Sequence, residues 1–140
     1  MSGMIIEQIG VIHTPYKQRS HTPRQGRYGT GESEIELFPQ YAEGLDGIER
    51  SPFLKVLWWA DQAERNLLKV TPPGETAQRG VFSTRSPARP NPLGLTLVKV
   101  IGRNQNRLQV EWMDALDGTP LVDIKPYSRE LDCVEDESSS

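Results

Sequence analysis

The run Leu93-Gly94-Leu95-Thr96-Leu97-Val98-Lys99-Val100-Ile101 is followed by Gly102-Arg103-Asn104-Gln105-Asn106 and then by Leu108-Gln109-Val110-Glu111-Trp112-Met113. It reads as strand, turn, strand. The first run is rich in β-branched and other apolar residues, the middle is turn chemistry, and the last run pairs back. The same pattern recurs outward in both directions. Downstream, Asp117-Gly118 is a second turn signal, and Leu121 to Ile124 is a short strand. Upstream, Phe53 to Ala60 is nearly continuous apolar sequence and is expected to be a buried strand. Glu32 to Phe38 alternates, with Glu32, Glu34 and Glu36 on one face and Ser33, Ile35 and Leu37 on the other. Met4 to Ile12 is apolar and reads as a strand, and Gly80 to Phe82 starts another. Pro39 to Gly44 fits a helical turn with Pro at its start. Asp61 to Leu68 is a short helix or a loop, Thr71-Pro72-Pro73-Gly74 is a break, and His13 to Gly31 is a long loop. About seven short strands with little helix favour a closed or nearly closed barrel. No βαβ alternation and no GxGxxG after a strand occur, so a Rossmann-type fold is excluded.

The chain has 140 residues, 25% charged and 36% hydrophobic, which predicts one globular domain over residues 1–140 with a frayed tail. No apolar run approaches the roughly 20 residues that span a bilayer. No secretory signal is apparent at the N-terminus, and Cys133 is the sole cysteine, which together predict a cytoplasmic protein. A single thiol and two histidines without ligand spacing predict no metal site. Net charge is −3, yet the charges segregate. Gln8 to Gly31 carries Lys17, Arg19, Arg24 and Arg27 and no acid; Thr76 to Val110 carries Arg79, Arg85, Arg89, Lys99, Arg103 and Arg107 and no acid. If these segments meet, they form a positive surface suited to a phosphate-rich partner. If they do not, the cations are scattered and solvated.

The most unusual stretch is Ser83 to Gly94, with prolines at 87, 90 and 92. These stiffen the backbone and lower the entropy lost on ordering. Arg85, Arg89 and Asn91 sit on that frame, which suits a carboxylate or phosphate. A purely structural proline corner with solvated arginines explains the same residues. Asp117-Gly118-Thr119-Pro120 is a tight turn able to hold a ribose or adenine edge, or simply a hairpin turn. Trp58 and Trp59 are adjacent on a strand, so one faces the core and the other is available to a ligand or an interface.

Three segments, taken together and in order, resemble the TrmO/TsaA family, also called YaeB-like. They are Ile9-Gly10-Val11-Ile12-His13-Thr14-Pro15-Tyr16 with Pro23-Arg24-Gln25, Phe82 to Gly94, and Leu116 through Tyr127. The resemblance implies a mainly β, single-sheeted small barrel with short helical turns and long loops, acting as a homodimer. It further implies an S-adenosylmethionine-dependent tRNA methyltransferase, acting on the exocyclic amine nitrogen of threonylcarbamoyladenosine beside the anticodon. The cofactor contacts it implies fall on Pro23, Arg24, Gln25, Arg85, Leu95, Leu116, Asp117, Gly118 and Thr119. A His-containing pair of the family aligns with Asp61 and Gln62, which is a departure. The longer bacterial members carry a C-terminal extension, which this chain is expected to do without.

Arg89, Asn91, Lys125 and Tyr127 are expected on the substrate side, beside the cofactor motifs. Asp114, Asp117, Tyr127 and His13 are all candidate proton acceptors, and sequence does not rank them. Two other readings stand beside the tRNA methyltransferase. One is a methyltransferase of the same fold acting on a small molecule, and the other is a β-barrel that binds RNA or ligand without turnover.

Overall fold

The computed structural model describes residues 3–17 and 31–135. Six strands close into an antiparallel barrel: β1 (Gly10–His13), β2 (Glu32–Leu37), β3 (Phe53–Trp59), β6 (Leu93–Asn104), β7 (Arg107–Glu111) and β8 (Thr119–Pro126). Their order around the wall is β1-β2-β7-β6-β3-β8. Closure removes the exposed edges that an open sheet of this size would leave unpaired. β4 (Lys69–Val70) and β5 (Arg79–Gly80) form a separate two-stranded ribbon. Short 3-10 turns cover Pro39–Leu45, Ile48–Arg50 and Val81–Ser83, and a single helical turn, α1 (Arg129–Asp132), follows β8.

Period-2 alternation fills the interior. Ile12, Ile35, Leu37, Leu54, Val56, Val98, Leu108, Val110 and Leu121 point inward and are buried. Truncating one of the larger of these, such as Leu54→Ala, is expected to cost about 2–5 kcal/mol. The strand at Glu32–Leu37 has the alternating faces that its sequence predicts. Phe53–Trp59 alternates too, with Leu54 and Val56 buried and its other side chains half-buried, so it is not a strand buried on both faces. The expected strand from Met4 begins only at Gly10; Met4 and Ile5 are exposed because β1 first meets β2 at the Gly10–Leu37 pair. Gly80 to Phe82 turns into a 3-10 turn after Gly80, where Val81 N–H donates to the Leu68 carbonyl at 2.9 Å. The β6–β7 hairpin is tighter than expected, since Asn104 already pairs with Arg107.

Two backbone features shape the chain after β7. Trp112 adopts φ 78, a rare left-handed conformation for a bulky residue. Its ring stacks on Phe53 with centroids 5.5 Å apart. The chain then places Met113 and Ala115 in the core, with the half-buried Asp114 between them. In β8, a register shift against β3 pairs Leu57 with Asp123 but Trp58 with Leu121. That bulge lies beside the cavity described next, a common place for one.

Candidate functional site

A cavity of about 360 Å³ opens at the end of the barrel where β3 finishes and β6 and β8 begin. Barrel mouths are frequent ligand sites, and the size falls in the usual range for small-molecule pockets. Its floor is made of interior-facing positions that continue the core. Trp58 packs on the core cluster, and its indole N–H donates to Thr96 Oγ1 at 3.0 Å. Thr96 in turn donates to Asp114 Oδ1 at 2.6 Å. A hydroxyl has one proton, so accepting from Trp58 and giving to Asp114 fixes its orientation. Asp114 is thereby engaged as an acceptor at the cavity wall.

Trp58 pairs with Gly94 across β3 and β6. A Cβ at position 94 would stand 2.2 Å from the indole Cε2, so only glycine lets the ring lie there.

Two loops form the sides. One follows β3 and contributes Asp61, Gln62 and Ala63; the other is the proline-stiffened run, contributing Thr84, Arg85, Pro87 and Arg89. They are joined at two points. Ala60 N–H donates to the Pro92 carbonyl at 2.8 Å. Arg65 donates through Nε and Nη2 to the Pro90 carbonyl at 3.2 and 3.0 Å, while its guanidinium lies 5.1 Å from the centre of the Trp59 ring. Trp58 and Trp59 therefore split as alternation requires, one towards the core and one outward.

Asp61, Gln62, Arg85, Leu95, Leu116, Thr119 and Arg89 line this one cavity, although they come from four separate parts of the sequence. Pro23, Arg24 and Gln25 lie outside the described residues, as do the last residues of the tail. Asp117 and Gly118 flank the cavity and hold the chain beyond β1. Asp117 Oδ1 accepts from the Thr14 N–H at 3.0 Å, its Oδ2 pairs with Lys17, and Gly118 N–H donates to the Ile12 carbonyl. The hydrogen bond from Lys17 holds the Asp117 carboxyl below its ordinary range, against the opposing effect of burial and with further help from the Thr14 N–H.

The four residues expected on the substrate side are not brought together at this cavity. Arg89 Nη1 donates to the Thr84 and Ser86 carbonyls at 3.1 and 2.9 Å, so it braces the loop as well as lining the cavity. Asn91 is exposed and is not among the residues lining the cavity. Lys125 and Tyr127 lie at the far end of β8, where Lys125 pairs with Asp123 and the Tyr127 ring packs edge-on against Phe53. Among the four candidate proton acceptors, Asp114 alone lines the cavity. His13 Nε2 instead faces Glu36 Oε1 at 2.8 Å beside a shallow depression between β1, β2 and β7. That hydrogen bond, together with Arg107, keeps the Glu36 carboxyl below its usual value. Sequence leaves open which of Trp58 and Trp59 meets a ligand and gives no sign of Thr96 as a site residue. The β3–β6 register, which pairs Trp58 with Gly94 and Val56 with Thr96, brings the two together.

The expected basic surface is smaller than the charge run implies. Arg103 pairs with Glu49, Arg107 with Glu34 and Glu36, and Arg79 with Glu75. Arg85 and Arg89 remain at the cavity. Among the described residues no group of three or more His, Cys, Asp or Glu side chains could hold a metal, and no helix is long and apolar enough to cross a membrane.

Comparison with known proteins places this architecture. Residues 11–133 match the family model of the tRNA-methyltransferase O N-terminal domain. An S-adenosyl-L-methionine-binding protein of Archaeoglobus fulgidus is 53% identical over 131 residues, covering 94% of each chain. The tRNA (adenine(37)-N6)-methyltransferase of Escherichia coli is 38% identical, aligned over 100% of this chain and 64% of its own. A crystal structure of TrmO from Pseudomonas aeruginosa superimposes with a TM-score of 0.82 at 32% identity, covering 96% of this chain and 60% of that one. The chain thus spans about three fifths of the solved TrmO chain. With its barrel and its sequence agreeing, the chain belongs to the tRNA-methyltransferase O N-terminal domain family.

Proposed function

We propose that the barrel-mouth cavity binds S-adenosylmethionine and that the protein methylates the exocyclic nitrogen of an adenine in tRNA. The finer target is threonylcarbamoyladenosine beside the anticodon. The observation that carries the reading is the convergence of Asp61, Gln62, Arg85, Leu95, Leu116 and Thr119 on one cavity. Its chemistry fits the cofactor. Trp58, Ala60, Leu93, Leu95 and Leu116 offer apolar surface to an adenine ring, Arg85 offers a guanidinium to a carboxylate, and Asp114 offers negative charge to a cation. Pro23, Arg24, Gln25, Asp117 and Gly118 complete the proposed cofactor contacts.

When bound, the cofactor supplies an electrophilic methyl group on a sulfonium sulfur. The chain contributes position and electrostatics. The proline-stiffened loop holds Arg85 without a large entropy cost on binding. Asp114, oriented by Thr96, is the carboxylate placed to take a proton from the attacking nitrogen. Arg89 lies on the substrate side of the same loop.

We also propose a cytoplasmic homodimer, with the outer face of β6 near Ile101, 45% exposed, as its contact. Light scattering on a size-exclusion column tests it, and a monomer at micromolar concentration rejects it.

The test of the activity is to incubate the protein with the cofactor and tRNA, then digest and weigh the nucleosides. A methyl group gained on threonylcarbamoyladenosine is the expected result. Tight cofactor binding without that gain favours the small-molecule reading, and no cofactor binding favours a non-catalytic barrel.

A further inference from the structure

We propose that Phe82 is a stacking platform for an unpaired base of the RNA substrate, beside the cavity that receives the reacting nitrogen. The inference rests on the RNA reading above and adds a contact to it. Phe82 sits in the 3-10 turn Val81–Ser83. Val81 is 1% exposed and anchors that turn in the protein, while Phe82 is 74% exposed. An aromatic ring turned outward by its own anchored neighbour is held there by the fold.

The turn is rigid. Ser83 Oγ donates to the Gly80 carbonyl at 2.7 Å, Thr84 Oγ1 donates to the Val81 carbonyl at 2.8 Å, and Arg79 Nη2 donates to the Ser83 carbonyl at 2.6 Å. The Arg89 guanidinium lies 5.8 Å from the centre of the Phe82 ring, and the Thr84 and Ser86 carbonyls fix it in place. The ring is therefore backed by a cation and keeps a large exposed surface.

Charge selects the occupant. Arg85 and Arg89, on the loop that follows the turn, bring two guanidinium groups to the neighbouring cavity. Single-stranded nucleic acid asks for a π-face for the base, with arginine beside it and cations nearby for the phosphate. Every base has a π-face, so such a platform holds the strand in place without reading its sequence.

The experiment compares wild type, Phe82→Ala and Phe82→Trp in steady-state methylation of tRNA and in cofactor titration. Loss of one base stack raises the KM for tRNA about tenfold in Phe82→Ala, with the cofactor Kd unchanged and with Phe82→Trp close to wild type. An unchanged KM, or a loss confined to cofactor affinity, overturns the platform. A second measurement separates this idea from the activity reading. A single-stranded RNA carrying 2-aminopurine is quenched on binding wild type and less so on binding Phe82→Ala. If wild type methylates no tRNA, the activity reading fails alone while the quench persists; absence of the quench removes the platform.

Discussion

The indole of Trp58 lies directly over Gly94, its antiparallel partner, closer than any side chain at position 94 would allow. In Gly94→Ala the ring must move, and its hydrogen bond to Thr96 goes with it. Overpacking of this kind costs about 1–3 kcal/mol. Thermal denaturation is expected to show a lower Tm, and tryptophan fluorescence a changed emission maximum. An unchanged Tm and spectrum would mean that the indole does not rest there.

Thr96 is the hinge of the polar relay at the cavity floor. Thr96→Val keeps the shape but removes the hydroxyl that accepts from Trp58 and donates to Asp114. Leaving the buried end of such a network unsatisfied costs about 1–3 kcal/mol. Methyl transfer is expected to fall further than stability does, chiefly in kcat, because Asp114 loses one of the groups that orient it. Equal kcat in the variant and wild type would show that the Thr96 hydroxyl does not position Asp114 for proton transfer.

Arg65 latches the two side walls by donating twice to one carbonyl while packing on Trp59. Arg65→Ala is expected to raise the KM for the cofactor several-fold with little change in Tm. Arg65→Lys is not expected to restore it, since an ammonium cannot reproduce the fork. Full rescue by lysine would show that charge alone matters there.

Asp117 links the loop before β8 to the chain beyond β1. Its carboxyl is held below the ordinary value of 3.8, first by the hydrogen bond from Lys17. A depressed folded pKa contributes stability that is present above the unfolded value and is lost as pH falls through the folded one. Wild type is therefore expected to lose stability below about pH 4 more steeply than Asp117→Asn. Parallel urea melts from pH 6 to pH 2.5 measure the difference. Coincident slopes would show that the pair contributes nothing.

The barrel was legible where pattern and burial agree. Glu32–Leu37 alternates because one of its faces looks inward, and Leu93 onward reads as a strand for the same reason. Apolar content without a partner misleads, and so Met4 and Ile5 read as strand yet stay exposed. The cavity walls at Arg85, Leu95 and Leu116 followed from motifs held in common with a family, and Asp61 from its alignment with a family pair whose residues it does not share. The relay from Trp58 through Thr96 to Asp114 depends on register across 18 and 38 residues of sequence, which no local pattern encodes. Lys125 and Tyr127 looked close to the site because they follow Thr119 closely in sequence. A strand of eight residues is roughly 26 Å long, however, and it carries them to the far end.

The left-handed backbone at Trp112 has a consequence for how this protein can change over time. A bulky residue in that region carries strain of about 1–3 kcal/mol, offset by its stacking on Phe53. The torsion sets the direction in which the chain leaves β7, and so where the carboxylate of Asp114 ends up. Descendants could thus re-aim an acid at the barrel mouth by altering an aromatic contact on the outer wall, leaving every cavity-lining residue as it was.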